Sequence, residues 1–173
     1  MDMSEDDQRV FEGKLETAGK LKEAGIALQV EERDRLLNEE SNNLMGLLGV
    51  TVDDLEPKPT DAKSKNEALK ELKNNREEEK KQLNSDISEL WENLDMSEDD
   101  QRVFEGKLET AGKLKEAGIA LQVEERDRLL NEESNNLMGL LGVTVDDLEP
   151  KPTDARSKNE ALRKLQKDRE EDS

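Results

Sequence analysis

Two pairs of adjacent carboxylates, Asp6–Asp7 and Asp53–Asp54, are the first places in this chain to look for chemistry. Ca2+ takes several such oxygens. The D-x-[DN]-x-[DN]-G loop that would gather them is missing, however. Both pairs read more simply as acidic residues at helix starts, facing the positive end of the backbone dipole. The chain has no histidine and no cysteine. That removes the commonest general base and transition-metal ligand, together with thiolate and disulfide chemistry. No Gly-rich phosphate loop, G-x-S-x-G elbow or H-E-x-x-H helix occurs. The short "EPKP" at 56–59 reads as a loop stiffener, and "KELKNNREEEKK" at 70–81 mixes signs as a solvated helix face does. The expectation is a protein that is not an enzyme and holds no cofactor and no metal. The one residue left that asks for a partner is the single tryptophan, Trp91. It can stack a ligand or pack a seam. With only Phe104 as a nearby aromatic, packing is the reading adopted.

What must position Trp91 is a repeat. Residues 2–62 recur letter for letter at 95–155, a shift of 93 positions. Beyond them the copies drift: Lys63 is matched by Arg156, Lys70 by Arg163, Glu71 by Lys164 and Asn75 by Asp168. Leu69 and Leu72 keep leucines, Leu162 and Leu165. Polar-for-polar drift suits a solvated helix face. It also suits neighbouring units of a natural array better than an engineered tandem, which would be uniform. The units are taken as 2–94 and a truncated 95–173. Met1 stands where Leu94 precedes the second copy, and the second copy stops before any counterpart of 81–94. The expectation is therefore an excerpt of something longer.

Composition narrows the class. Charged residues make up 42% of the chain, apolar ones 31% and aromatic ones 2%. That is poor material for a large globular core but suits long helices with a narrow apolar seam. A net charge of −18 disfavours nucleic acid and acidic membrane surfaces. No apolar run approaches the ~20 residues that span a bilayer. No nucleic acid and no membrane are expected as partners, and a cytoplasmic, cytoskeletal location is the default.

Within one unit, "SEDD" from Ser4 reads as a helix start, with Phe11, Leu15, Ala18 and Leu21 on one stripe. Glu16 and Lys20 form an i,i+4 pair on the outer side. Gly13, Gly19 and Gly25 each weaken this helix, and Gly25 is the expected break. A second helix is expected from about Val30 to Leu48, ended by Gly49. Pro57 and Pro59 then forbid a continuous helix, while "TVDDLE" forms at most a short turn capped by Thr51. A third helix, capped by Thr60 or Asp61, runs on with Leu69, Leu83, Ile87, Leu90 and Leu94 in one heptad frame. Lys73, Arg76 and Lys80 interrupt that frame, which points to a loose bundle over a tight two-stranded coil. No Pro or Gly stands between Asp61 and Gly106, so the helix is expected to run through the repeat junction or to bend slightly at Ser97. The residues placed at that junction are Leu83, Ile87, Leu90, Trp91, Leu94 and Phe104. In a rival geometry Gly25 does not break the helix. Residues 4–48 then form one rod of roughly 65 Å by the helical rise, in a long helical hairpin turning at 49–60.

The three helices per unit, the helical continuity across 83–105 and the "LWENL" at 90–94 resemble the spectrin-type repeat. The near-identity of long units is similar to that of large repetitive cytoskeletal rod proteins. The resemblance implies an all-α fold of tandem antiparallel helical bundles, the last helix of each unit continuing into the next. The function expected is a non-catalytic structural spacer that sets distance or bears tension, since repetition adds length without a new site. Neighbouring repeats of the same chain are the first partners, and an exposed seam also allows a homodimer. One alternative is an acidic multivalent module that binds a basic protein by avidity. The other is an extracellular adhesin stalk.

Overall fold

The computed structural model describes residues 4–172, and all the regular elements among them are helical. In order they are α1 (Glu5–Ala18), α2 (Glu23–Leu48), α3 (Ala62–Asn93), α4 (Glu98–Ala111), α5 (Glu116–Leu141) and α6 (Ala155–Asp172). Short 3-10 turns at Val52–Asp54 and Val145–Asp147 precede α3 and α6. The carboxylates weighed above as metal ligands have local work. Asp6 pairs with Arg9 at 3.8 Å in the first turn of α1, whose cap is Ser4, accepting from the Asp7 backbone N–H at 3.1 Å. Asp54 accepts from the Thr51 N–H at 2.8 Å, and Asp53 pairs with Lys58 at 2.8 Å. Asp61 caps α3, accepting from the Ser64 N–H at 2.7 Å.

The chain divides into two compact units, Met1–Asn75 and Arg76–Ser173. This boundary lies inside α3, away from the junction of the sequence copies at 94 and 95. It falls in the stretch where the heptad frame meets Lys73, Arg76 and Lys80, positions with little apolar surface to bury.

The first unit contains α1, α2 and the opening turns of α3. α1 ends at Gly19, whose φ of +85° only glycine adopts cheaply, and α2 starts at Glu23. The expected break at Gly25 and the expected start near Val30 are therefore both corrected: the turn comes earlier. The single 4–48 rod is excluded for the same reason. Gly25 instead sits in the first turn of α2, so close to the end of α1 that an added Cβ would lie 1.9 Å from the Gly19 carbonyl oxygen. Its missing side chain serves the helix–helix approach, which sequence alone does not distinguish from a break. α3 is fastened to α2 by Lys65 Nζ, which donates to Asn38 Oδ1 at 2.7 Å. Asn66 Nδ2 likewise donates to Glu40 Oε1 at 2.9 Å and to Ser41 Oγ at 3.3 Å. Leu48, Leu55 and Leu69 are buried in this unit.

The second unit contains residues 76–93 of α3 with α4, α5 and α6, one helix more than the first. α5 packs along α6 and against α4. One cluster joins Leu137, Leu148 and Leu162 at the far end of α5. The larger cluster joins Ile87, Leu90 and Trp91 of α3 to Phe104 and Leu108 of α4 and to Leu129 and Leu130 of α5.

Candidate interaction surface at the repeat junction

The junction is a turn, and the expected continuous helix across it is not formed. α3 stops at Asn93 and α4 starts at Glu98. Asp95 takes the left-handed conformation at φ +53°. The Met96 N–H donates to the Trp91 carbonyl at 2.9 Å and the Asp95 N–H to the Glu92 carbonyl at 3.2 Å. These two bonds make a Schellman end with aspartate in the place glycine usually takes. Aspartate enters that conformation more readily than most residues do. The absence of glycine is why the break was invisible in the sequence. Ser97 then caps α4, accepting from the Asp100 N–H at 3.2 Å.

The turn is anchored by the residues singled out from the sequence. Ile87, Leu90, Trp91 and Phe104 are buried in one cluster, and Leu94 and Met96 pack against it half-buried. Leu83 is also buried, one heptad step before Ile87. Trp91 meets Phe104 edge to face, with centroids 5.8 Å apart and planes at 80°, a favoured aromatic geometry. Its Nε1–H donates to Glu125 Oε2 over a long 3.4 Å.

A polar layer that sequence reasoning missed flanks these apolar residues. Gln122 is fully buried in α5, and its Nε2–H donates to Asn84 Oδ1 of α3. Its own Oε1 is buried with no hydrogen-bond partner among the described residues. Arg76 Nη1 donates to the Leu114 carbonyl at 2.8 Å. Glu133 accepts from Asn93 Nδ2 at 3.0 Å, from Asn159 Nδ2 at 2.9 Å and from Arg163 Nε at 2.6 Å. Arg163 also reaches Glu89 Oε1 at 3.2 Å, so it ties α6 to both α5 and α3. Burial pushes the Glu133 carboxyl up, but its bonds to Arg163, Asn159 and Asn93 outweigh burial and hold it below the ordinary glutamate value. The expected solvated-face drift needs correcting at this position, since Arg163, matching Lys70, lies at a contact between helices. One signal was available. The heptad frame of Leu69 carried one step back lands on Asn66, whose match is Asn159, and both are buried.

The two copies allow the same side chains to be compared with and without the α3 tail. Residues 76–94 lie against α4 and α5; among the described residues of the first unit nothing takes the equivalent place against α1 and α2. Ile119 is 8% exposed, whereas its identical counterpart Ile26 is 51% exposed. Gln122 is buried, whereas Gln29 is exposed; Leu129 is buried and Leu36 half-buried. In the first unit Phe11, Leu15, Lys20, Gln29 and Leu36 line an open groove of about 860 Å3. In the second, Phe104, Leu108 and Lys113 face Asn84, Ile87 and Trp91. Among the described residues no three carboxylates gather in a metal-binding group, and no helix is long and apolar enough to cross a membrane. Comparison of the chain with family models, with curated proteins and with solved structures finds no match.

Proposed function

We propose that this chain is a non-catalytic structural spacer, a set of helical repeat units from a larger, cytoskeleton-associated protein that holds its neighbours at a set distance. The observation that supports this reading is the placement of α3. Residues 62–75 belong to the first compact unit and residues 76–93 to the second, with no break in the helix between them. A helix of 32 residues is about 48 Å long by the helical rise. The repeat junction is the turn that lets α4 fold back on residues 76–93. The likeness to the spectrin-type repeat belongs to this proposal and rests on three helices per period of 93 residues.

The test uses the lack of native cysteines. Spin labels at Leu47→Cys and Leu140→Cys, both exposed positions, are expected to give one narrow distance distribution. Asn75→Pro removes a helix bond in mid-α3, at a cost of about 3 kcal/mol, and is expected to broaden that distribution while both units stay helical. A broad distribution in the unaltered chain contradicts the spacer.

A further inference from the structure

The open groove of the first unit has an identifiable occupant, because α3 lies along the same groove in the second and narrows it to about 500 Å3. We propose that the face formed by Phe11, Leu15, Gln29 and Leu36 is a docking site for an amphipathic helix with the pattern of residues 76–94, such as another unit of this kind supplies.

The elements of α4 and α5 that hold α3 in the second unit are present in the first, because residues 2–62 and 95–155 are identical; Arg163 of α6, which bonds Glu89, is matched by Lys70. Phe104, which meets Trp91 edge to face, is matched by Phe11. Gln122, which donates to Asn84, is matched by Gln29, and Glu125, which accepts from Trp91, by Glu32. The Leu114 carbonyl that accepts from Arg76 is matched by that of Leu21. Glutamine in a buried layer is an uncommon choice that makes sense only opposite a side chain able to bond it. In the first unit Gln29 lies in the open, beside Ile26 and Val30, which are exposed as well. A groove with an amide at this height selects a helix that brings an Asn there, with Ile three residues on and Trp seven. Residues 84, 87 and 91 have that spacing. The inference is separate from the spacer reading, since it concerns only which helix covers the groove. A chain that flexes at Asn75 leaves it intact.

The test places a copy of residues 76–94 directly ahead of Asp2 in the otherwise complete chain, so that the Leu–Asp link of residues 94 and 95 is reproduced. Backbone amides of α1 and α2 are expected to exchange at least about tenfold more slowly than in the unaltered chain, approaching those of α4 and α5. Aspartate in place of the added Ile and Trp is expected to abolish the gain. Unchanged exchange in α1 and α2 overturns the proposal. Unchanged exchange together with dimerisation of the unaltered chain that Phe11→Asp abolishes also overturns it, and gives the face to a second copy.

Discussion

Gln29 and Gln122 sit in the same stretch of sequence, at the same step of equivalent helices, and only the second is buried. Ile26 and Ile119 differ in the same direction. Local structure does not separate the copies. α1 and α4 have matching bounds and serine caps, and α2 and α5 end at Gly49 and Gly142 with φ of +66° and +67°. The difference enters at packing. Secondary structure here follows from the local sequence, whereas burial depends on a helix that the copy itself does not encode. The second copy is completed by residues 76–94, which stand before it in the chain.

The largest effect should come from removing the side chain that completes the second copy. Trp91→Ala is expected to destabilise the second unit by about 3–5 kcal/mol, through loss of the contacts with Phe104 and the surrounding cluster. The first unit should melt as before. Urea unfolding with probes in each unit checks this, and equal losses in both units would break the comparison.

Paired truncation sharpens it. Ile119→Ala removes a buried side chain and is expected to cost about 2–4 kcal/mol. Ile26→Ala, the identical change at an exposed site, should stay within about 0.5 kcal/mol. Matched losses would mean that the two environments do not differ in solution.

The smallest expected effect is electrostatic. Glu133 is held below its ordinary value by its hydrogen bonds, which more than offset burial. Glu40, held by Asn66 and Lys70, is lowered too. Each folded carboxyl binds its proton more weakly than the unfolded chain does. Their contribution is present above the ordinary glutamate value and is lost as pH falls through the depressed one. Acid titration of each unit should show this loss, and Glu133→Gln should flatten it in the second unit alone. A second unit that gains stability on acidification would contradict the assignment.

Much of this architecture was legible in advance. The heptad frame of Leu69, Leu83, Ile87, Leu90 and Leu94 predicts the face of α3 that is turned inward, whereas Lys73, Arg76 and Lys80, read as part of a solvated stretch, are half-buried. The sequence places Trp91 and Phe104 at the same junction, and their edge-to-face contact comes from the structure. Two features were not legible, each for a physical reason. A glycine inside a helix looks alike whether it breaks the helix or admits a neighbour, so the sequence does not distinguish Gly25 from Gly19, which makes the break. An aspartate in the left-handed region carries no mark in the sequence, so the turn at Asp95 was missed. The polar layer of Asn84, Gln122, Glu133 and Asn159 was hidden because polar residues at seam positions read as exposed until their partners on other helices are known.

The most direct measurement is hydrogen exchange on the unaltered chain, comparing amides 28–37 of α2 with amides 121–130 of α5. The sequences are identical, so intrinsic exchange rates are the same and any difference reports structural protection alone. The expected result is exchange at least about tenfold slower in α5, because residues 76–93 of α3 lie against it. Equal protection in the two segments would contradict the account.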